Sequence, residues 1–351
     1  MESCPQRVLG AVDGMHRFVS ARRGWHRRPQ TFDVAIETKD FGAYRGRDQG
    51  PGWAQLSYGL YLPIGARKQL AAELSAWRLV LPPEAAFTHL TAAELRGWWL
   101  PAAIEHPVFA AAQEGDPCPR RSGLMMNRRP DQPPRQFVCG AQVTSGAETL
   151  LAAARDLGVI DLVLMGDSAL RLGHTSLDEL TELSCRRRRG VSMLRRIVPL
   201  LDARSESPWE SVMRVLHQAA GVSVSPQKEI FDEDGQFLAR ADLWLVGTKR
   251  VHEYDGALHR ERDVHHRDLV RDRRLVVNHW QRVGYTSQDL LQDGASVIAS
   301  ADQALGRSWD PRRLTRWNKL VAESLYGPVG RARAHRRWGA PTPRTWPTVD
   351  R

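Results

Sequence analysis

"RADLWLVGTKRVHEYDGALHRER", from Arg240 to Arg262, sets three carboxylates inside segments that otherwise read as core strands. Strand side chains alternate between faces with a period of two. In "FLARADLWLV", Asp242 shares a face with Arg240 and Trp244, while Ala239, Ala241, Leu243 and Leu245 take the apolar face. In "RVHEYDG", Glu253 and Asp255 share a face, and His252 and Tyr254 point away. If the two segments are neighbouring strands, about 4.8 Å apart, Asp242 and Glu253 meet on one side of the sheet. Two carboxylates brought together repel unless they are paired, hydrogen-bonded or bound to a metal. A hard divalent cation, Mg²⁺ or Mn²⁺, takes oxygen ligands and would turn that repulsion into a binding site. Such an ion can hold a phosphate oxygen and activate a water.

The segments around this stretch form a compact series. "SPWESVMRVLHQAAG" has Ser207 at the N-cap, Pro208 at the first helical position and Gly221 just past the end. Val212, Val215, Leu216 and Ala219 mark its core face. "VSVSPQKEIFD" and "FLARADLWLV" read as a hairpin turning at Asp234-Gly235, with "KRVHEYDG" as a third strand. "ERDVHHRDLVRDRRLVV" is predicted helical, and "NHWQRVGYTSQDLL" is predicted to be a last strand running into a helix. The order is α-β-β-β-α-β-α.

That order, with Glu210 in the first helix, Asp242 in the second strand and Glu253-x-Asp255-Gly256-x-x-His259 at the third, resembles the PD-(D/E)XK nuclease superfamily. More narrowly it resembles the uncharacterised branch related to very-short-patch repair endonucleases. Gln227 in "SPQKE" fits the polar residue often seen on the first strand of that family. The resemblance covers roughly residues 203–295. It implies a restriction-endonuclease-like α/β domain, a mixed sheet flanked by helices. It also implies a metal-dependent DNA endonuclease or repair-type nuclease, with Asp242 and Glu253 as metal ligands. Asp255, His259, Glu210 and Gln227 would be the further catalytic residues. The sequence departs from the pattern in one respect: the third motif usually ends in Lys, and Asp255 holds that place. The missing cation is expected from Lys228, Lys249 or Arg240, with His259 as a general acid or base. Residues 50–200 resemble the antitoxin-like (AbiEi-type) segment found before this domain, with "LSYGLYLP" like the wing of a winged helix. This implies DNA binding or regulation, and a cognate toxin as an additional partner. A non-catalytic DNA-binding regulator that keeps the nuclease fold is the alternative reading.

Each residue also has a plainer explanation. Glu210 suits the helix dipole, Asp242 could pair with Arg240, and Glu253 with Asp255 could be an exposed strand end. His259 could cap the following helix, and Trp244 and Tyr254 are expected to pack. His265 and His266 lie in a charged segment and are expected to be solvated.

Upstream, "EAAFTHLTAAELRGWW" (residues 84–99) is predicted helical, with Thr91 and Glu94 in capping-box spacing. The Pro- and Arg-rich stretch after it reads as a loop or a pair of weak strands. "TSGAETLLAAARDLG", "VIDLVLMGDSALRLG" and "SLDELTELSCRRRRG" are predicted helical. The divisions expected are residues 1–100, a region that could hold a winged helix; 101–202, an antitoxin-like connecting region; 203–305, the nuclease-like domain; and 306–351, a basic tail, partly disordered. The half before residue 203 is expected to be mainly helical.

The net charge is +10, and 45 of the 50 basic residues are Arg. Residues 1–201 carry 26 basic and 20 acidic residues, residues 202–300 carry 13 and 16, and residues 301–351 carry 11 and 4. The acidic segment is therefore the one with the carboxylate cluster. The basic excess fits either a polyanionic partner or a compositional bias toward Arg. Four arginines in a row, Arg186–Arg189, fit a solvated helix end better than a DNA contact. Apolar runs are broken within about ten residues, short of the roughly 20 that a membrane helix needs. With no apolar leader block, a cytoplasmic location is expected. Cys4, Cys118, Cys139 and Cys185 lack CxxC spacing and are expected to be reduced thiols.

Overall fold

The structure, a computed structural model, describes residues 41–47, 50–66, 69–102, 105–256 and 273–339. Among these the chain forms three sheets, and helices link and cover them. The first sheet is antiparallel, with β1 (Tyr44–Arg45), β2 (Trp53–Ser57) and β3 (Leu60–Pro63) in the order β1-β3-β2. Helix α1 (Leu70–Arg78) presents Leu70, Leu74 and Trp77 to Leu60 and Leu62.

The second sheet is mixed. Its strands are β4 (Ala86–Phe87), β5 (Val108–Gln113), β6 (Leu124–Arg129), β7 (Arg135–Val138) and β8 (Ala141–Thr144), in the order β6-β5-β4-β8-β7. Strand β5 divides two cores by its alternation. Val108, Ala110 and Ala112 join α1 and the first sheet, and Phe109 joins the larger core. The expected helix over 84–99 shrinks to α2 (His89–Leu95). Ala86 and Phe87 are taken into the sheet between β5 and β8, and Thr88 becomes the N-cap. The Pro- and Arg-rich stretch supplies β6 and β7, the two edge strands, whose arginines suit exposed edges. Before residue 203 the described residues thus form eight strands as well as the helices, which hold the larger share.

Helices α3 (Gly146–Ala153), α4 (Val159–Arg171), α5 (Leu177–Ser184), α6 (Val191–Ile197) and α7 (Pro208–Ala219) follow. Three of these helices start at a serine cap, whereas the capping box expected at Thr91 and Glu94 is not formed, since the N-cap of α2 is Thr88. Ser145 accepts from Glu148 N, Ser176 from Glu179 N and Ser207 from Glu210 N. On α7, Val212, Val215 and Leu216 are fully buried, worth about 1.5–3 kcal/mol each relative to exposure.

The third sheet holds β9 (Val224–Phe231), β10 (Phe237–Leu245), β11 (Arg250–Tyr254) and β12 (Gln281–Tyr285). Its order is β12-β11-β10-β9. The two junctions among β9, β10 and β11 are antiparallel, and β11 runs parallel to β12. Helix α8 (Ser287–Gln292) starts from Thr286, and α9 (Gly294–Ala304) follows.

Residues 306–338 are folded; residues 340–351, on which the expected disorder of the tail falls, lie outside the described residues. Helices α10 (Thr315–Glu323) and α11 (Pro328–Trp338) bring Trp317, Leu320, Leu325, Tyr326 and Ala334 into the large core. The arginines of this segment serve as donors. Arg313 caps the end of α7 through Ala220 O, at 2.9 Å from Nε and 2.6 Å from Nη2. Arg333 donates to Asp156 O and Glu323 O. The expected divide at 202/203 is bridged by a buried network. Asp167 on α4 accepts from Arg214 (2.5 Å) and Ser211 (2.5 Å) on α7 and from Asp202 N (2.7 Å). No helix among the described residues is long and apolar enough to cross a membrane.

Candidate functional site

The register of β10 and β11 pairs Leu243 with His252 and Trp244 with Val251. Continued by one residue, it sets Asp242 opposite Glu253, and opposed residues of an antiparallel pair point to the same side. The ladder pairs stop at Leu243. There Asp242 Oδ2 accepts from Tyr254 N at 3.0 Å, so a side chain takes over from the backbone.

Both faces of these strands are packed: Val251, on the Glu253 face, lies in a small core with Ile230, Ala239, Ala241 and Leu275 against Trp244, and the other face meets α7 and the large core. His252 meets His217 of α7, Tyr254 stacks on Trp209 at 5.8 Å between ring centroids, and Leu243 and Leu245 join the large core. The histidines are ordered by one constraint. Met213 O can only accept, so His217 Nδ1 carries the proton toward it (2.8 Å), and His217 Nε2 accepts from His252 Nδ1 at 2.9 Å. Burial holds His217 down to about 4, and burial, His217 and Arg250 hold His252 well below its usual value. Both rings are neutral struts under β11.

Three of the expected site residues form one group. The β9–β10 register pairs Lys228 with Ala241 and Pro226 with Leu243, which sets Gln227 against Asp242. Gln227 has φ +53°, a left-handed conformation unusual for a non-glycine residue inside a strand. Its Nε2 donates to Glu210 Oε2 at 2.8 Å. Glu210, on the first turn of α7, also accepts from Glu206 N at 2.8 Å. Its carboxyl is pushed up to about 7, first by burial and then by the nearby charge of Asp242, against the hydrogen bonds that favour ionisation.

Glu253 and Asp255 form the second group, and its third member was not among the expected residues. Arg282 on β12 lies 2.5 Å from Glu253 (Nε to Oε2) and 2.8 Å from Asp255 (Nη2 to Oδ1). The parallel register explains it: Val251 pairs with Arg282 and Glu253 with Gly284. Gly284 leaves the room that Asp255 needs, since a Cβ there would sit 1.7 Å from Asp255 Oδ2. The cations expected from sequence are engaged elsewhere. Lys228 lies over the Trp244 ring at 5.3 Å, Lys249 donates to Asn278 O, and Arg240 pairs with Glu206 at 2.8 Å. The signal that could have found Arg282 is the alternation in "QRVGY", which puts Arg282 and Gly284 on one face. His259, together with His265 and His266, lies outside the described residues.

Glu210, Gln227 and Asp242 therefore gather beside Glu253, Asp255 and Arg282. The donors are carboxylate and amide oxygens, the type that hard divalent cations take. Among the described residues no group of three or more His, Cys, Asp or Glu side chains is arranged to hold a metal ion. Glu253 is turned to Arg282 instead. Compared with protein-family models, with curated proteins and with solved structures, the chain gives no match.

Proposed function

We propose that this chain is a metal-dependent DNA endonuclease that hydrolyses phosphodiester bonds at the Asp242–Glu253 end of the third sheet. The observation that carries the reading is the convergence of carboxylates from a helix start and two adjacent strands. A guanidinium, that of Arg282, lies beside Asp255. Asp242 and Glu253 would hold Mg²⁺ or Mn²⁺; the Glu210 pKa is raised first by burial and then by the charge of Asp242, and a cation would relieve the second. Such an ion supplies polarisation of a phosphoryl oxygen and a more acidic water. Arg282 supplies the positive charge that Asp255 cannot, offsetting charge on the attacked phosphate. Glu210, with a pKa near neutrality, can hold or release a proton close to Asp242. The restriction-endonuclease-like topology and a winged-helix role for the β2–β3 hairpin belong to this proposal, as does a proton-transfer role for His259.

A second reading has one observation in its favour. Arg282 pairs with both Glu253 and Asp255, which suits a non-catalytic DNA-binding regulator of antitoxin type, with a toxin as partner. Calorimetric titration with Mg²⁺ and Mn²⁺ separates the two. The nuclease reading expects binding in the wild type, loss in Asp242→Asn and weakening in Glu253→Gln. DNA binding that survives both substitutions, without metal binding in the wild type, supports the regulator.

A further inference from the structure

Strand β6, the end of α3, the loop between α5 and α6, and α11 meet at one arginine-rich face. Arg129 on β6 and Arg188 in the loop both pair with Glu148 on α3, at 2.8 Å and 2.5 Å. Arg155, just past α3, donates to Asn127 of β6. Arg337 on α11 pairs with Asp156, the neighbour of Arg155. The loop is pressed onto α3. At Gly190, with φ +94°, a Cβ would sit 2.7 Å from Leu151 O and 3.2 Å from Arg155 Cγ.

Arg189 directly precedes that contact. Five guanidinia, of Arg129, Arg155, Arg188, Arg189 and Arg337, thus collect around two carboxylates, Glu148 and Asp156. Asp131 also acts on Arg129, which leaves two positive charges over. The crowding registers on Arg155, whose pKa is lowered first by burial and then by the like charges of Arg337, Arg189 and Arg188, against the pull of Asp156. Arg187 and Arg189 are exposed and, among the described residues, enter no ion pair. A fold that gathers like charges and leaves Arg189 and the adjacent Arg187 unengaged is matched to a multivalent anion. Guanidinia fit phosphate oxygens through their planar fork of donors.

We infer that this face is a docking surface for the phosphodiester backbone of duplex DNA, with Arg187 and Arg189 as phosphate contacts. The choice of duplex DNA as the polyanion rests on the nuclease reading; the charge surplus does not. Phosphate contacts add affinity without sequence preference and make binding salt-dependent.

The test is fluorescence anisotropy of a labelled duplex with the full chain in EDTA, titrated over about 50 to about 200 mM salt. The variants are R187A/R189A and, as a control of equal charge loss, R312A/R316A. The expected result is a loss on the order of tenfold per contact near 0.1 M salt, and a slope of log K against log salt smaller by about two. The control should keep wild-type affinity, and circular dichroism should show all variants folded. Wild-type affinity and slope in R187A/R189A would overturn the inference. So would equal losses in the control, or binding lost to anionic vesicles while duplex binding is kept. Because EDTA suppresses metal-dependent cleavage, binding that depends on Arg187 and Arg189 stands even if the chain never cuts DNA.

Discussion

Glu253 and Arg282 form an ion pair 2.5 Å long across the parallel junction of β11 and β12, and the same guanidinium reaches Asp255 at 2.8 Å. The pair is partly exposed on the arginine side, so its net contribution to stability is modest. Its value in this account is chemical. Removing one preorganised donor to developing negative charge typically costs about 10²–10³ in rate. Arg282→Gln should therefore lower the rate of DNA nicking by about 10²-fold while melting within a few degrees of the wild type. Initial rates and thermal melts measure both. A variant that cleaves within about twofold of the wild type would show that Arg282 is only a structural partner.

Glu210 ties stability to pH. Its folded pKa of about 7 lies above the ordinary 4.5, so the folded state keeps a proton that the unfolded state releases. Stability then falls as pH rises from about 4.5 to about 7 and levels off above. The buried pair His217 and His252 acts with the opposite sign. Their folded values lie below 6.5, so stability is lost on acidification below that pH. Glu210→Gln keeps an acceptor for Gln227 and removes only the first effect. Its expected gain over wild type above pH 7 is up to roughly 3 kcal/mol, with the acid loss unchanged. Urea unfolding across pH 4 to 8 is the check, and a variant no more stable than wild type at pH 8 contradicts it.

Asp167 and Arg214 hold α4 to α7 with both side chains out of solvent. Removing one partner strands the other charge, at a cost of about 3–5 kcal/mol. Asp167→Leu and Arg214→Met should each destabilise on that scale, and the double variant by clearly less than the two together. Additive losses in denaturant unfolding would mean that the pair is not coupled.

The helix from Pro208 and the three strands after it were legible because each carries a local signal. Ser207 and Pro208 mark the helix start, and the alternation in "FLARADLWLV" and "RVHEYDG" assigns faces without knowledge of the rest. Arg282 was not legible because its place depends on a parallel pairing, whose partner lies a crossover away. Strand β5, "VFAAAQ", has too little side-chain contrast to declare itself, and Ala86–Phe87 is a strand only because β5 and β8 take it up. The helices of residues 306–338 were not legible because the segment reads by composition as a basic tail. Its apolar residues are interspersed with arginines, yet Trp317 and Leu320 share a helix face, and Arg313 and Arg333 satisfy carbonyls that would otherwise be orphaned.

The most direct test of the central claim is the nicking of supercoiled plasmid by the full chain at neutral pH. Millimolar Mg²⁺ or Mn²⁺ is compared with EDTA, for wild type and Asp242→Asn. Relaxed and linear products are expected with metal, none with EDTA, and none with Asp242→Asn in either condition. Plasmid left supercoiled by folded wild type at millimolar metal, or nicked equally well by Asp242→Asn, would contradict it.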